Sequence, residues 1–407
     1  MCRVTGHEEP TRGGSLTLLR TNVPFRNLWA ARTVSYFGDA LSLVALMLHV
    51  AETTGQALAV AMLLLVGDFA PALPGPLAGT ISDRFNLKRV MIGAELAQAA
   101  IVALIALWLP ALPILLLLVG VRAAVAQVFQ PASRAAVPML VHTDHLPSAN
   151  AAIGLGTNVG ETIGPLAAAV MIPILGVRGV LLADAASFVL SATLLALLPR
   201  MQQHDLVGRM SFLAETRSGL GYVWRSRIVR AIVLGYFGVV AFNGIDDVAL
   251  VFLATDTLRG GASAVGLLLA AVGIGLLVGY ALLSRRTHPL SMVALLLMGF
   301  AMNSAGNLLT GLAWAVLAAF FLQTIRGIGI AALDVAANTL VQRVVPAGML
   351  GRVFGTLYGA IGVAAGLSYL AGGVLLDLTG PRITFVVAGT GGLLVTLATA
   401  VALRRAR

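Results

Sequence analysis

Twelve apolar runs, each about as long as a membrane-spanning helix, limit what this 407-residue chain can fold into. They lie at 28–50, 57–78, 90–108, 112–131, 150–175 and 180–198, then at 231–253, 262–284, 290–311, 313–340, 352–376 and 382–403. In hydrocarbon every backbone N–H and C=O must find a partner within the protein, so such runs read as helices. Charged residues make up only 11% of the chain and mean hydropathy is +0.94, whereas soluble domains carry about 25% charge. The expectation is an all-α integral membrane protein with a six-helix bundle at 27–198 and another at 231–403. Residues 1–26 and 404–407 form short flanking segments, and 199–230 is a linker too small for a domain of its own. Phe212, Leu213, Leu220, Val223, Trp224 and Ile228 can share one face of a linker helix, with Arg217, Arg225 and Arg227 at its rim. That pattern suits a helix lying in the membrane interface, and a plain basic linker is the competing reading.

The net charge of +10 does not form a groove for phosphates, because the basic residues are scattered through short loops. Counting Arg352 and Arg382, which open their runs, with the connections before them, 21 of the 27 Lys and Arg residues fall before the first run, in the even-to-odd connections or after the last run. Only Arg178, Arg259 and Arg382 fall in the opposite connections, while Arg32, Arg122 and Arg326 lie within runs. The excess of positive charge on the cytoplasmic side then predicts that both termini are cytoplasmic. The single cysteine, Cys2, allows no intrachain disulfide and gives a metal site no thiolate pair. The only lysine, Lys88, follows leucine, so no nucleotide-binding P-loop is expected, nor a Schiff-base lysine. His7, His49, His142, His145, His204 and His288 do not gather at mid-membrane depth, so neither a metal centre nor an embedded enzyme is expected. Arg32 and Asp39 inside the first run argue against a cleaved signal peptide.

Between the second and third runs stands GTISDRFNLKR at 79–89. Gly79, Asp83, Arg84, Lys88 and Arg89 match the signature G-x-x-x-D-R-x-G-R-R/K-R/K, so this loop resembles that of the major facilitator superfamily. Asn86 stands where the second glycine belongs, a residue that tolerates the left-handed turn conformation. The resemblance implies a conformational latch, with Asp83 bridging to the start of the eleventh helix near Gly351 and Arg352. It also implies a basic loop residue paired with an acid at the end of the fourth helix, but Gln130 and Arg134 stand there instead.

The two halves repeat at an offset near 204 residues: TGQALAVAMLLL lies over RGGASAVGLLLA, LGVRG over TGPRI, and Arg122 over Arg326. The counterpart of the Asp83 loop, SRRTHPL at 284–290, keeps little of the signature. Such duplication is a mark of transporters. The mid-span candidates among ionisable residues are Asp39, Asp68, Arg122, Glu161, Asp246, Asp247, Arg326 and Asp334. A charge at the bilayer centre costs roughly 2.5–3.5 kcal/mol on insertion scales, so each should meet a partner or a cavity. Each half places acid on its first helix and arginine on its fourth. The superfamily resemblance implies that helices one, four, seven and ten line a central cavity. Two readings compete. Asp39–Arg122 and Asp246–Arg326 are permanent buried pairs, or one of the acids takes up and releases protons; Asp39 is then first in line, followed by Asp246 or Asp247.

On the fifth run, Gly160, Gly164 and Pro165 in GTNVGETIGPLAAA resemble part of the signature of drug/proton antiporters, with Ala168 and Ala169 in place of its last glycines. Close helix packing is the plainer explanation of the same residues. FRNLWAARTVSYFGDAL, FQPASRAAVP, LPSANA and DAASFVLSA resemble the branch that holds enterobactin exporters and macrolide-efflux proteins. That resemblance implies a secondary exporter of small amphipathic molecules that needs no cofactor beyond a proton gradient and no nucleotide. The alternative is a proton-coupled uptake symporter; a receptor would not need duplicated charges within the membrane. Tyr36, Phe37, Tyr236 and Phe242 on the first and seventh runs can stack on an aromatic substrate or simply pack. The expected partners are that substrate, protons and the lipid bilayer, for a chain acting as a monomer. Abundant Ala, Gly and Arg beside one Lys suit a high-GC bacterial genome, hence a bacterial cell membrane.

Overall fold

The computed structural model describes residues 14–69, 75–201, 211–284 and 291–405, which are helical with short connections. A short helix α1 (Ser15–Thr21) precedes α2 (Val23–Thr54), the first span. Asn22 starts α2 by accepting the Phe25 N–H at 2.9 Å, while its amide donates to the Leu140 carbonyl at 2.7 Å and ties the entry to the fourth span. The second span is α3 (Ala57–Leu64), a π-turn through Phe69, and α4 (Gly75–Arg84). The third and fourth are α5 (Leu87–Trp108) and α6 (Leu112–Leu140).

Spans five and six form one long element, α7 (Leu146–Ala196), turned back only at Gly176, with φ 68° and ψ 173°. That conformation suits a residue without Cβ, which is why no loop separates the two runs. Helix continues through Pro165.

The linker folds into α8 (Phe212–Arg225). The second half continues with the broken seventh span, α9 (Arg227–Asn243) and α10 (Asp246–Phe252), the latter ending in a π-turn. Then come α11 (Gly261–Ser284), α12 (Met292–Gly311), α13 (Val316–Val344), α14 (Leu350–Thr379) and α15 (Pro381–Arg405). Among the described residues, ten helical stretches are long and apolar enough to cross a membrane. Counting α7 twice and adding the divided second span gives the expected twelve. The decayed loop counterpart at 285–290 and the side chain of Asp68 lie outside the described residues.

The apolar core differs at the two ends of the bundle. At the end that carries both termini it is one continuous cluster drawn from both halves, running from Phe25, Met91 and Val137 to Phe300, Val341 and Phe354. At the far end it separates into two clusters. Leu41, Leu63, Ile105 and Phe188 belong to the first-half cluster, and Leu250, Leu268, Ala319 and Phe385 to the second-half cluster. The halves are therefore zipped together at the termini end and packed apart at the other.

The linker helix sits differently from its sequence pattern. Its buried face is Thr216, Gly219 and Val223, whereas Leu213 and Trp224 are exposed. Thr216 bonds the Thr80 hydroxyl at 2.8 Å, and Gly219 lies against the Arg352 side chain. Small residues allow α8 to lie close on α4 and α14, which the count of large apolar residues did not anticipate.

Candidate functional site

On α2, Arg32, Ser35, Tyr36 and Asp39 recur at helical spacing and face α6. Arg122 from α6 is ion-paired with Asp39. One turn and two turns away, Arg32 bonds Ser133 and, at 3.1 Å, Gln130, while Gln130 donates to the Tyr36 hydroxyl. The Arg32 guanidinium lies 5.4 Å from the centre of the Tyr36 ring and 5.9 Å from that of Phe129. A cavity of about 240 Å³ opens over this stripe, lined by Ser35, Tyr36, Asp39, Gln98, Arg122 and Gln127 among others. The Asp39 and Arg122 side chains are 30% and 18% exposed. This ion pair therefore borders open space.

Two further acids belong to this region, and both were missed in the sequence although each lies inside an apolar run. Glu95 on α5 is fully buried, and Ser35 bonds one of its oxygens at 3.3 Å. Asp184 on α7 is also fully buried and accepts from Ser42 and, at 3.2 Å, from Ser187. Ser35 touches the cavity and Glu95 at once, and so connects them.

The second half repeats the pair but not its surroundings. At the repeat offset Asn243 stands opposite Asp39, and the acid has moved one turn on, to Asp246. The break between α9 and α10 brings Asn243 and Asp246 together. Arg326 on α13 uses all three of its nitrogens: on Asp246, on Asn303 at 3.0 Å and on Gln323 at 2.9 Å. Asn307 donates to Asn243 at 2.8 Å and to Asp246 at 3.3 Å, and Gln323 donates to Thr310 at 2.9 Å. Both charged side chains are about one-twentieth exposed, at 6% and 5%. This pair is sealed inside a polar network. Asp247, its neighbour, is exposed.

The two halves also meet at the termini end through Asp83 on α4 and the start of α14. Asp83 accepts the Gly351 N–H at 2.7 Å and the Arg352 N–H and Nε–H at 2.9 Å each. These are the free amides at the start of α14, where a carboxylate is favoured by the helix dipole. Arg352 also donates to Ser218 on α8 at 2.8 Å and to the Gly348 carbonyl at 2.7 Å. Gly79 and Gly75 pack so closely on Gly351 and Gly355 that a Cβ would enter the facing backbone.

A second polar bridge lies beside the Asp83 contact. Asp334 on α13 takes Arg134 from the first half at 3.7 Å, the Tyr280 hydroxyl at 3.1 Å and the Asn338 amide at 2.8 Å. Gln342 donates to the Arg134 carbonyl at 2.9 Å, and Asn150 donates to Gln342 at 2.6 Å. Where the superfamily pattern implies an acid at the end of the fourth helix, this chain has Arg134, and its acid comes from the other half.

The remaining sequence candidates are placed as follows. Asn86 has φ −57° and caps α5, accepting the Arg89 N–H at 3.3 Å, so no left-handed turn is needed there. Lys88 donates to the Leu198 carbonyl at 2.6 Å; Arg84 is half-buried and Arg89 exposed. Gly160 and Gly164 press α7 onto α2 at Phe37 and Ala40, while Glu161 and Pro165 are exposed. Of the four aromatic candidates only Tyr36 lines the cavity. Phe37 joins the outer first-half core, Tyr236 packs edge-on against Phe300 at 5.8 Å, and Phe242, which lies against Gly391, is 42% exposed. Among the described residues no group of His, Cys, Asp and Glu is arranged to hold a metal ion.

Residues 14–407 match the family described as "Transmembrane secretion effector". Over 383 residues the chain is 27% identical to an uncharacterized major facilitator-type transporter, YfiS, of Bacillus subtilis, with 91% of each chain covered. It is 22% identical to macrolide efflux protein A of Streptococcus pyogenes, covering 90% of this chain and 92% of that one. The fold matches a crystal structure of a bacterial homologue of the iron transporter ferroportin, with TM-score 0.79 and 15% identity over 94% of this chain and 99% of that one. The chain is thus a multi-pass membrane protein of the major facilitator superfamily, and it belongs to the transmembrane secretion effector family.

Proposed function

We propose that this transporter is a secondary exporter of small amphipathic molecules, of the drug, antibiotic or siderophore kind, that exchanges its substrate for protons by alternating access. The observation that carries the reading is the asymmetry of the core, with one seam across the halves at the termini end and none at the far end. A bundle with that seam exposes a central path on one side only, and breaking it there while closing the far side carries substrate across. Positive charge on the termini end makes that end cytoplasmic, in the inner membrane of a bacterium. The similarity to a macrolide efflux protein supports export. Asp39, bordering open space with Arg122, carries the exchangeable proton, and Glu95 reaches the same space through Ser35. Tyr36 and the cavity glutamines meet the substrate, and the Asp83–Arg352 contact holds the outward-open state. The unit of transport is the monomer.

A substrate panel in a pump-deficient bacterial strain tests the reading, with and without an uncoupler. Expression should lower accumulation of at least one amphipathic compound, and the uncoupler should abolish the effect. Inward flux of the same compound into right-side-out vesicles would make the protein an uptake symporter instead.

The latch makes its own prediction. Asp83→Asn loses the carboxylate that meets three donors, a change worth about 1–3 kcal/mol against the closed seam. Turnover should fall about tenfold, with the half-saturating substrate concentration little changed. Unchanged turnover at normal membrane levels would remove the latch from the mechanism.

A further inference from the structure

A groove of about 630 Å³ runs along the lipid-facing side of the second half between α9 and α15, at the end that carries the termini. Its walls are Ala231, Leu234, Gly235, Val395, Ala398 and Ala402, and three arginines line it as well: Arg227, Arg230 and Arg405. Gly235 and Thr399 make the floor. A Cβ on Gly235 would lie 2.6 Å from the Thr399 hydroxyl, so the missing side chain brings the two helices into contact beneath the groove. The arginines sit at the start of α9 and the end of α15, where both helices leave the apolar layer. Trp224, just ahead of α9, is 55% exposed, and Arg230 donates to its carbonyl at 3.1 Å. An exposed tryptophan at a helix entrance marks the headgroup level.

Basic residues at helix ends are common, because they set topology. Two things distinguish this group. The arginines come from two different helices yet line one cavity, and none of them is in an ion pair among the described residues. The concave surface below them is apolar and open to the acyl layer. A ligand that suits both parts carries negative charge at the headgroup level and hydrocarbon beneath it.

We propose that this groove is a specific binding site for an anionic diacyl phospholipid, phosphatidylglycerol. The phosphate lies among Arg227, Arg230 and Arg405, and an acyl chain lies along Ala231, Leu234, Val395 and Ala398. Basic pockets between spanning helices bind such headgroups, and each arginine near the surface contributes about 1 kcal/mol, or about fivefold in affinity. The site needs only that the chain sits in a bilayer and is independent of what the chain transports. The α9–α15 face is turned away from the first half, so an occupied groove leaves the inter-half seam free to open.

The test is native mass spectrometry of the purified full chain, titrated in detergent with phosphatidylglycerol or phosphatidylethanolamine. Phosphatidylglycerol should bind in a discrete first step and more tightly than phosphatidylethanolamine, with the preference shrinking as ionic strength rises. One arginine changed to glutamine should weaken that step about fivefold, and Arg227→Gln/Arg230→Gln/Arg405→Gln together about a hundredfold. Ala398→Phe, at an exposed wall position, keeps the charge and fills the groove. It should weaken binding about tenfold, the worth of about two methylenes withdrawn from the groove. Arg20→Gln, an exposed arginine on α1 at the same end, should change nothing. Millimolar glycerol 3-phosphate should fail to displace the lipid, because it offers no acyl chain. Equal binding of the two lipids, full retention in the triple variant, or displacement by glycerol 3-phosphate would each overturn the proposal.

Discussion

Asp39→Asn is expected to abolish proton-driven efflux while leaving a folded, membrane-inserted protein. The substitution keeps the shape and a hydrogen-bond acceptor for Arg122 but removes the group that can exchange a proton. Because the Asp39 and Arg122 side chains are 30% and 18% exposed, solvent screens the pair and its loss should cost below about 1 kcal/mol of stability. Efflux should fall to the level of an uncoupled control, and exchange of labelled substrate without a gradient should persist. That division between coupling and exchange is the informative readout. A variant that still concentrates substrate against a gradient would take Asp39 out of the coupling step. Glu95→Gln, read in the same assay, would then show whether the carboxyl behind Ser35 carries the proton instead.

Arg326→Ala should do the opposite and damage the fold before it affects coupling. Arg326 is enclosed with Asp246, and its removal leaves that carboxylate, Asn303 and Gln323 without their shared donor. Breaking one partner of a buried pair costs about 3–5 kcal/mol. For a protein of this size that corresponds to a fall of about 4–6 °C in the unfolding midpoint. Asp246→Leu/Arg326→Met, which removes both charges, should recover much of the loss. Fluorescence-detected size-exclusion after heating would measure all three proteins against Asp39→Asn. An Arg326→Ala protein as stable as the parent would mean that the network contributes little to holding α9, α12 and α13 together.

The contrast between the two pairs also shows what could be read from the residues alone. The spans, the repeat and the acid–arginine partners follow from hydropathy and from the cost of charge in lipid, and those quantities belong to short stretches of chain. The difference between an open and a sealed pair does not. It depends on Asn243, Asn303, Asn307 and Gln323, neutral residues that no charge criterion selects. Glu95 and Asp184 were within reach, since they meet the same mid-run test as Asp39. Asp83 was legible because a carboxylate beside free helix amides has a defined partner chemistry. The role of α8 in that latch was hidden, since its packing face is Thr216, Gly219 and Val223 and not the large apolar residues. The Arg134–Asp334 bridge was hidden for another reason: it joins side chains 200 residues apart in sequence, and only the closed seam brings them together.

The central claim is that the chain holds its termini end closed through Asp83 and opens at the other end. Distances between spin labels at the two ends measure this directly. In a Cys2→Ser background, Arg89→Cys with Ala347→Cys reports on the termini end, and Glu52→Cys with Trp314→Cys on the far end; all four positions are exposed. Adding Asp83→Asn should shift the first pair to longer distances and the second to shorter ones. Distributions that stay unchanged at both ends, in a variant that is folded and inserted, would contradict the account.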